Sequence, residues 1–194
     1  MTSGIQWIKK QTSDFYVSVP ILIFLINILL VFSVFIPNLG DINTWDEAGY
    51  IRSGRLLLNG VLPDPAFSPV SALLYAIATL PYLHSPFWLI YASGLGRLVI
   101  FALLFASSYL VARQLSKFAN PLIMVGLFFV SPLSIQMFRY ASDPLFAAFS
   151  GFAFWKMLSY YNTKQNRHLW WASAFLGLAA LTRNEGSIIF VMML

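Results

Sequence analysis

The chain has 194 residues, of which 59% are hydrophobic, 17% aromatic and only 10% charged. Soluble domains carry about 25% charged residues; so little charge cannot coat a water-facing surface, and a mean hydropathy of +0.73 agrees. The composition reads as an integral membrane protein and excludes disorder, collagen, coiled coil and a soluble nucleotide-binding enzyme.

The absence of cysteine removes thiol nucleophiles, thiolate metal sites and disulfides together. Two imidazoles, His84 and His168, are too few to build a histidine zinc site. The net charge of +5 is modest, and its placement reads as a topology signal with no nucleic-acid partner.

In chain order, the first apolar run is 17–36, preceded by Lys9 and Lys10. As a helix it rises about 30 Å, enough to cross a hydrocarbon core. It lacks the small-residue cleavage site of a secretory signal, so it reads as an uncleaved span with a cytoplasmic N-terminus. Further spans are expected near 94–115, 121–138 and 144–161, then a short apolar run at 169–181 and an incomplete one at 187–194. The expected fold is therefore all-α: a polytopic transmembrane helical bundle forming the N-terminal part of a larger membrane module, with the chain stopping inside a helix.

The segment 45–83 is expected to hold an extracytoplasmic surface helix followed by a re-entrant, non-crossing stretch broken by prolines. Positive-inside counting supports non-crossing. In that arrangement Lys9, Lys10, Arg113, Lys117, Lys156, Lys164 and Arg167 lie inside, and the remaining five arginines lie outside. Asp41, Asp46, Glu47, Asp64, Asp143 and Glu185 then share the outer face with Arg52, Arg55, Arg97, Arg139 and Arg183. One pole mixes charges, as a reaction site needs; the other is nearly pure Lys and Arg, with Asp14 its one acid.

Three charged clusters stand out. Thr44 to Tyr50 opens the surface helix, with Ile51 and Leu58 expected towards the membrane and Arg52 and Arg55 towards water. Thr44 and Glu47 fit a capping box, and Gly60 would end the helix. A chemical reading instead makes Asp46 a general base, Glu47 its polar neighbour, and Tyr50 a residue on the same face. In Arg139 to Pro144, Asp143 fits an N-cap with Pro144 at the first helical position; alternatively Arg139 holds a phosphate while Asp143 orients a hydroxyl. In Thr182 to Gly186, Arg183 and Glu185 follow a short helix or sit within one continuous helix from Trp170 to Leu194, where ionisable groups usually line a cavity. His168 with Trp170 and Trp171 reads as a boundary anchor.

Taken together, Asp46-Glu47-Ala48-Gly49-Tyr50, the later Leu73-Leu74-Tyr75, Ser142-Asp143-Pro144-Leu145-Phe146 and Leu181-Thr182-Arg183-Asn184-Glu185-Gly186 resemble the motifs of the GT-C glycosyltransferases. The likeness is to the polyprenyl-phosphate-sugar enzymes, the lipid A aminoarabinose transferases and protein O-mannosyltransferases. The chain departs from them at Ser68-Pro69-Val70-Ser71, where those enzymes usually carry a Pro-Pro-Leu-Tyr-like step.

The resemblance implies inverting transfer of a sugar from a polyprenyl phosphate to a lipid, glycan or protein acceptor, on the extracytoplasmic face of the cell (inner or plasma) membrane. It makes Asp46 the base, with Glu47 positioning the acceptor or supporting Asp46, and Tyr50, Arg139, Asp143, Arg183 and Glu185 the substrate-binding residues. No nucleotide cofactor is implied; a divalent cation (Mg or Mn) on Asp46 and Glu47 is compatible but not required. A secondary transporter and a non-catalytic membrane subunit are the rival classes.

Overall fold

The computed structural model describes residues 46–62, 67–115 and 142–183, with isolated positions at 22, 25, 29, 120, 121 and 124–126. Among the described residues there are helices and turns and no strand, so the class is all-α.

Helix α1 is Asp46–Leu58. Its buried positions include Glu47, Tyr50, Ile51 and Gly54, the i, i+3, i+4, i+7 stripe of one helical face. Arg52 and Arg55 are exposed on the other. The chain leaves the helix through Gly60, whose φ of 71° is left-handed. Helix α2 is Pro69–Thr79: the Ser68 hydroxyl accepts from the Ser71 N–H at 3.2 Å, and Pro69 occupies the start, where its missing N–H is harmless. A 3-10 turn, Leu80–Tyr82, extends it. The combined apolar stretch Pro69–Tyr82 rises about 22 Å, too little to cross a bilayer.

Helix α3, Trp88–Leu115, has 28 residues and begins six residues before the predicted boundary. It is the one helix among the described residues both long and apolar enough to cross a membrane. Helix α4, Ser142–Thr163, has the length but dilutes its apolar run with Asp143, Lys156, Asn162 and several hydroxyls. Helix α5, Asn166–Thr182, has 17 residues, about 25 Å. It stops at Thr182, because Arg183 is extended with φ −150° and ψ 147°. A continuous helix from Trp170 to Leu194 is therefore not formed. Of the other expected spans, 17–36 is described only at Leu22, Leu25 and Leu29, all helical and exposed. The span 121–138 is described only at 121 and 124–126, likewise helical, and 187–194 lies outside the described residues.

Packing sets the directions. Gln114 Nε2 donates to Ser159 Oγ at 3.1 Å, and seven residues earlier Ser107 meets Gly151, where an added Cβ would lie 2.9 Å from its hydroxyl. Contacts advancing together along both helices make α3 and α4 parallel. A two-residue turn through Lys164, φ 54°, reverses the chain into α5. Phe152 then stacks on Phe175 at 5.1 Å. One buried cluster joins α1, α2, α3 and α4 through Tyr50, Ile51, Tyr75, Ala92, Ile100 and Leu145; a second joins α3 and α4 through Phe101, Leu104 and Ala148.

The surface helix is thus not free on its inner side. Glu47 pairs with Arg97 and Arg55 lies over Trp88, so α1 runs counter to the first third of α3 and is packed against it.

Candidate functional site

The second residue of α1 is the most enclosed acid described. Glu47 is 1% exposed. Its Oε1 accepts from the Tyr75 hydroxyl at 2.6 Å, from Ser93 Oγ at 3.1 Å and from Arg97 Nε at 2.9 Å. Its Oε2 accepts from Arg97 Nε at 3.0 Å and from Arg97 Nη2. Helix α2 supplies the phenol and α3 supplies the hydroxyl and the guanidinium, so one carboxylate ties three helices together. A buried charge is tolerable when paired and fully hydrogen-bonded, and the planar fork of arginine suits a carboxylate. Burial, and then the adjacent Glu47 carboxylate, push the Tyr75 phenol well above its ordinary range, so it stays a donor.

Two glycines make room for this cluster. A Cβ on Gly96 would sit 2.3 Å from the Tyr75 ring, so the phenol reaches Glu47 only because residue 96 has no side chain. A Cβ on Gly54 would lie 2.6 Å from the Ala76 nitrogen and 2.8 Å from the Ala72 carbonyl oxygen, so α1 and α2 touch backbone to backbone there.

The second and third sequence clusters meet directly. Arg183, at the end of α5, forms an ion pair with Asp143 in the first turn of α4. Their side chains are 37% and 28% exposed, so solvent or a ligand can reach both. Ser68 Oγ donates to the Leu181 carbonyl at 2.9 Å, joining the start of α2 to the end of α5. Phe67 meets the Tyr50 ring edge-on at 5.4 Å. Through Tyr50, Phe67, Ser68 and Leu181, the α1 acid pair and the Asp143–Arg183 pair belong to one end of the helix assembly. Since α4 runs parallel to α3, with Leu145 in the Ile100 cluster, the first turn of α4 lies near the level of Arg97.

The expected site residues divide accordingly. Asp46 is the first residue of α1, and its side chain is not among those described. Glu47 is held by protein donors rather than left open. A phenol, a hydroxyl and a guanidinium hold a carboxylate without any metal, so this geometry does not aim Glu47 at the divalent cation that the sequence allowed. Tyr50 is 8% exposed and packs in the core. Asp143 lies inside the first turn of a helix that Ser142 begins, rather than capping it, and its described partner is Arg183. Arg139, Glu185 and Thr44 lie outside the described residues. Among the described residues no group of three or more His, Asp and Glu comes together for a metal.

Sequence reasoning placed Arg97 on the outer face and Tyr75 in a motif but gave neither a role, and it passed over Ser93. Arg97 did carry a signal: a lone cation inside an apolar run long enough to span demands a partner. Nothing in the sequence marked Tyr75 or Ser93 as a partner of Glu47, since phenols and serines are ordinary in such helices. No family model, curated protein or solved structure matches the chain.

Proposed function

We propose that this chain forms the charge-bearing pole of a polytopic, GT-C-type membrane glycosyltransferase with that pole on the extracytoplasmic face. The observation that carries the reading is the meeting of Asp143 with Arg183 at the end of the molecule where α1 begins with its acid pair. Inverting transfer needs three things there: a base for the acceptor, cations for the departing phosphate, and a rigid mount that fixes the distance between them.

Glu47 is the mount. Clamped by Arg97, Tyr75 and Ser93, it fixes the position and rotation of α1 and so aims Asp46, the adjoining residue. Asp46 takes the proton of the acceptor hydroxyl or amine as that atom bonds to the anomeric carbon. On the opposite face the bond from that carbon to the polyprenyl phosphate breaks, and the phosphate leaves with the electron pair. Arg183 receives it, exchanging its half-exposed partner Asp143 for the phosphate oxygens. The donor arrives already activated from the bilayer, so no nucleotide takes part.

The test is Asp46→Asn in membranes supplied with a polyprenyl-phosphate-linked sugar. Transfer should fall by roughly 10²–10⁴-fold with expression unchanged. Transfer near the wild-type rate would remove Asp46 as the base and the reading with it.

A further inference from the structure

The opposite end of the molecule is chemically distinct. Because α3 and α4 are parallel and α5 starts where α4 finishes, that end gathers Arg113, Lys164, Arg167 and His168, with Lys156 two turns up α4. The described carboxylates, Glu47 and Asp143, both lie at the other pole, and neither described ion pair involves the basic side chains of this end.

Within this basic end, Lys156 on α4 and Arg167 and His168 in the first turn of α5 lie on the closed side of the α4–α5 hairpin, between the Phe152–Phe175 stack and the turn at Lys164. Arg167 is exposed, while Lys156 and His168 are half-buried. The Lys156 ammonium lies 3.8 Å from the Trp155 ring centre, and the His168 Nδ1 atom is covered yet has no hydrogen-bond partner. Trp170 and Trp171 stand exposed on the next turn, at 79% and 56%. Desolvation, followed by the Lys156 and Arg167 charges, pushes the His168 imidazole below its ordinary range. Lys156 and Arg167 thus hold His168 neutral, and no described carboxylate lies beside these two cations.

We propose that Lys156, Arg167 and His168 form a binding site for the phosphate headgroup of an anionic phospholipid. Charge complementarity identifies the occupant: a phosphodiester brings the missing negative charge and oxygens for the guanidinium fork, the ammonium and the imidazole. The aromatic belt selects a lipid over a free anion. Tryptophan rings favour the level of the headgroups. The inference rests on the membrane reading of the chain but not on sugar transfer.

The purified full chain would be titrated in detergent micelles with phosphatidylglycerol or phosphatidylcholine, and bound lipids counted by native mass spectrometry. Phosphatidylglycerol should be retained roughly tenfold more tightly, since each surface cation favours an anionic lipid by a substantial part of that factor. Lys156→Gln with Arg167→Gln should abolish the preference, and Lys156→Arg should keep it, which separates loss of charge from loss of fold. Equal retention of both lipids by the wild type would overturn the site while leaving the membrane reading intact. Displacement of phosphatidylglycerol by millimolar inorganic phosphate would overturn the lipid assignment in favour of a soluble phosphate. Retention of neither lipid would overturn the membrane reading and this site together.

Discussion

At the residue scale, the physics concentrates on Glu47. Its partners come from positions 28, 46 and 50 residues further along the chain. Removing one member of such a buried pair strands a charge, which costs about 3–5 kcal/mol. Arg97→Leu should therefore lower the thermal midpoint of the purified chain sharply. Combining it with Glu47→Gln should recover much of the loss, because no charge is then left unpaired. A single Arg97→Leu variant as stable as wild type would contradict the buried pair. The double variant also separates mount from chemistry: fold returns, but α1 loses the clamp that aims Asp46, so transfer should remain low. Glu47 was legible as a notable acid from its place beside Asp46. Its enclosure was not, because the residues that enclose it carry no local pattern.

At the element scale, helix boundaries followed from short-range chemistry. Ser68-Pro69 starts α2, Gly60 follows α1, and Arg52 and Arg55 are exposed as the α1 pattern predicted, although Arg55 also covers the Trp88 ring. Glycines inside helices could not be interpreted that way, because their meaning depends on what faces them. Gly54 sits against the α2 backbone, whereas nothing approaches Gly94 within 4 Å. Gly54→Ala should then destabilise by about 1–3 kcal/mol through forced separation of α1 and α2. Gly94→Ala should be neutral or stabilise by up to about 1 kcal/mol through helix propensity alone. Paired thermal melts of the two variants measure this, and equal effects would refute the close α1–α2 contact. The Gly94-x-Gly96 pair, which lacks any strand–turn–helix setting, owes its second glycine to the Tyr75 ring.

At the scale of the whole molecule, the two poles are the main result. Arg97 lies nine residues into α3, about 13 Å from its start. The remaining stretch to Leu115 is 18 residues, about 27 Å, close to the thickness of a hydrocarbon core. Helices α1 and α2 sheathe the first third, which accounts for a helix longer than a bilayer requires. The absence of cysteine makes a direct test available. Asn59→Cys and Thr163→Cys, both at exposed positions of opposite poles, should react with a membrane-impermeant maleimide from opposite sides. In intact cells position 59 should label and position 163 should not. Labelling of both from one side would contradict the two-pole topology.

The sequence by itself determined the helical class, the exposure of Arg52 and Arg55 on α1, and the proline-broken stretch after it. These follow from composition and from 3.6-residue periodicity, which act within a few turns. Only the tertiary structure decided that Arg183 pairs with Asp143, that α5 ends at Thr182, and that Glu47 is a clamped anchor rather than an open acid. Those outcomes depend on which helices run parallel and which side chains meet across tens of residues. An ion pair is chosen by distance in space, and a linear pattern of charges leaves that distance free until the helices pack.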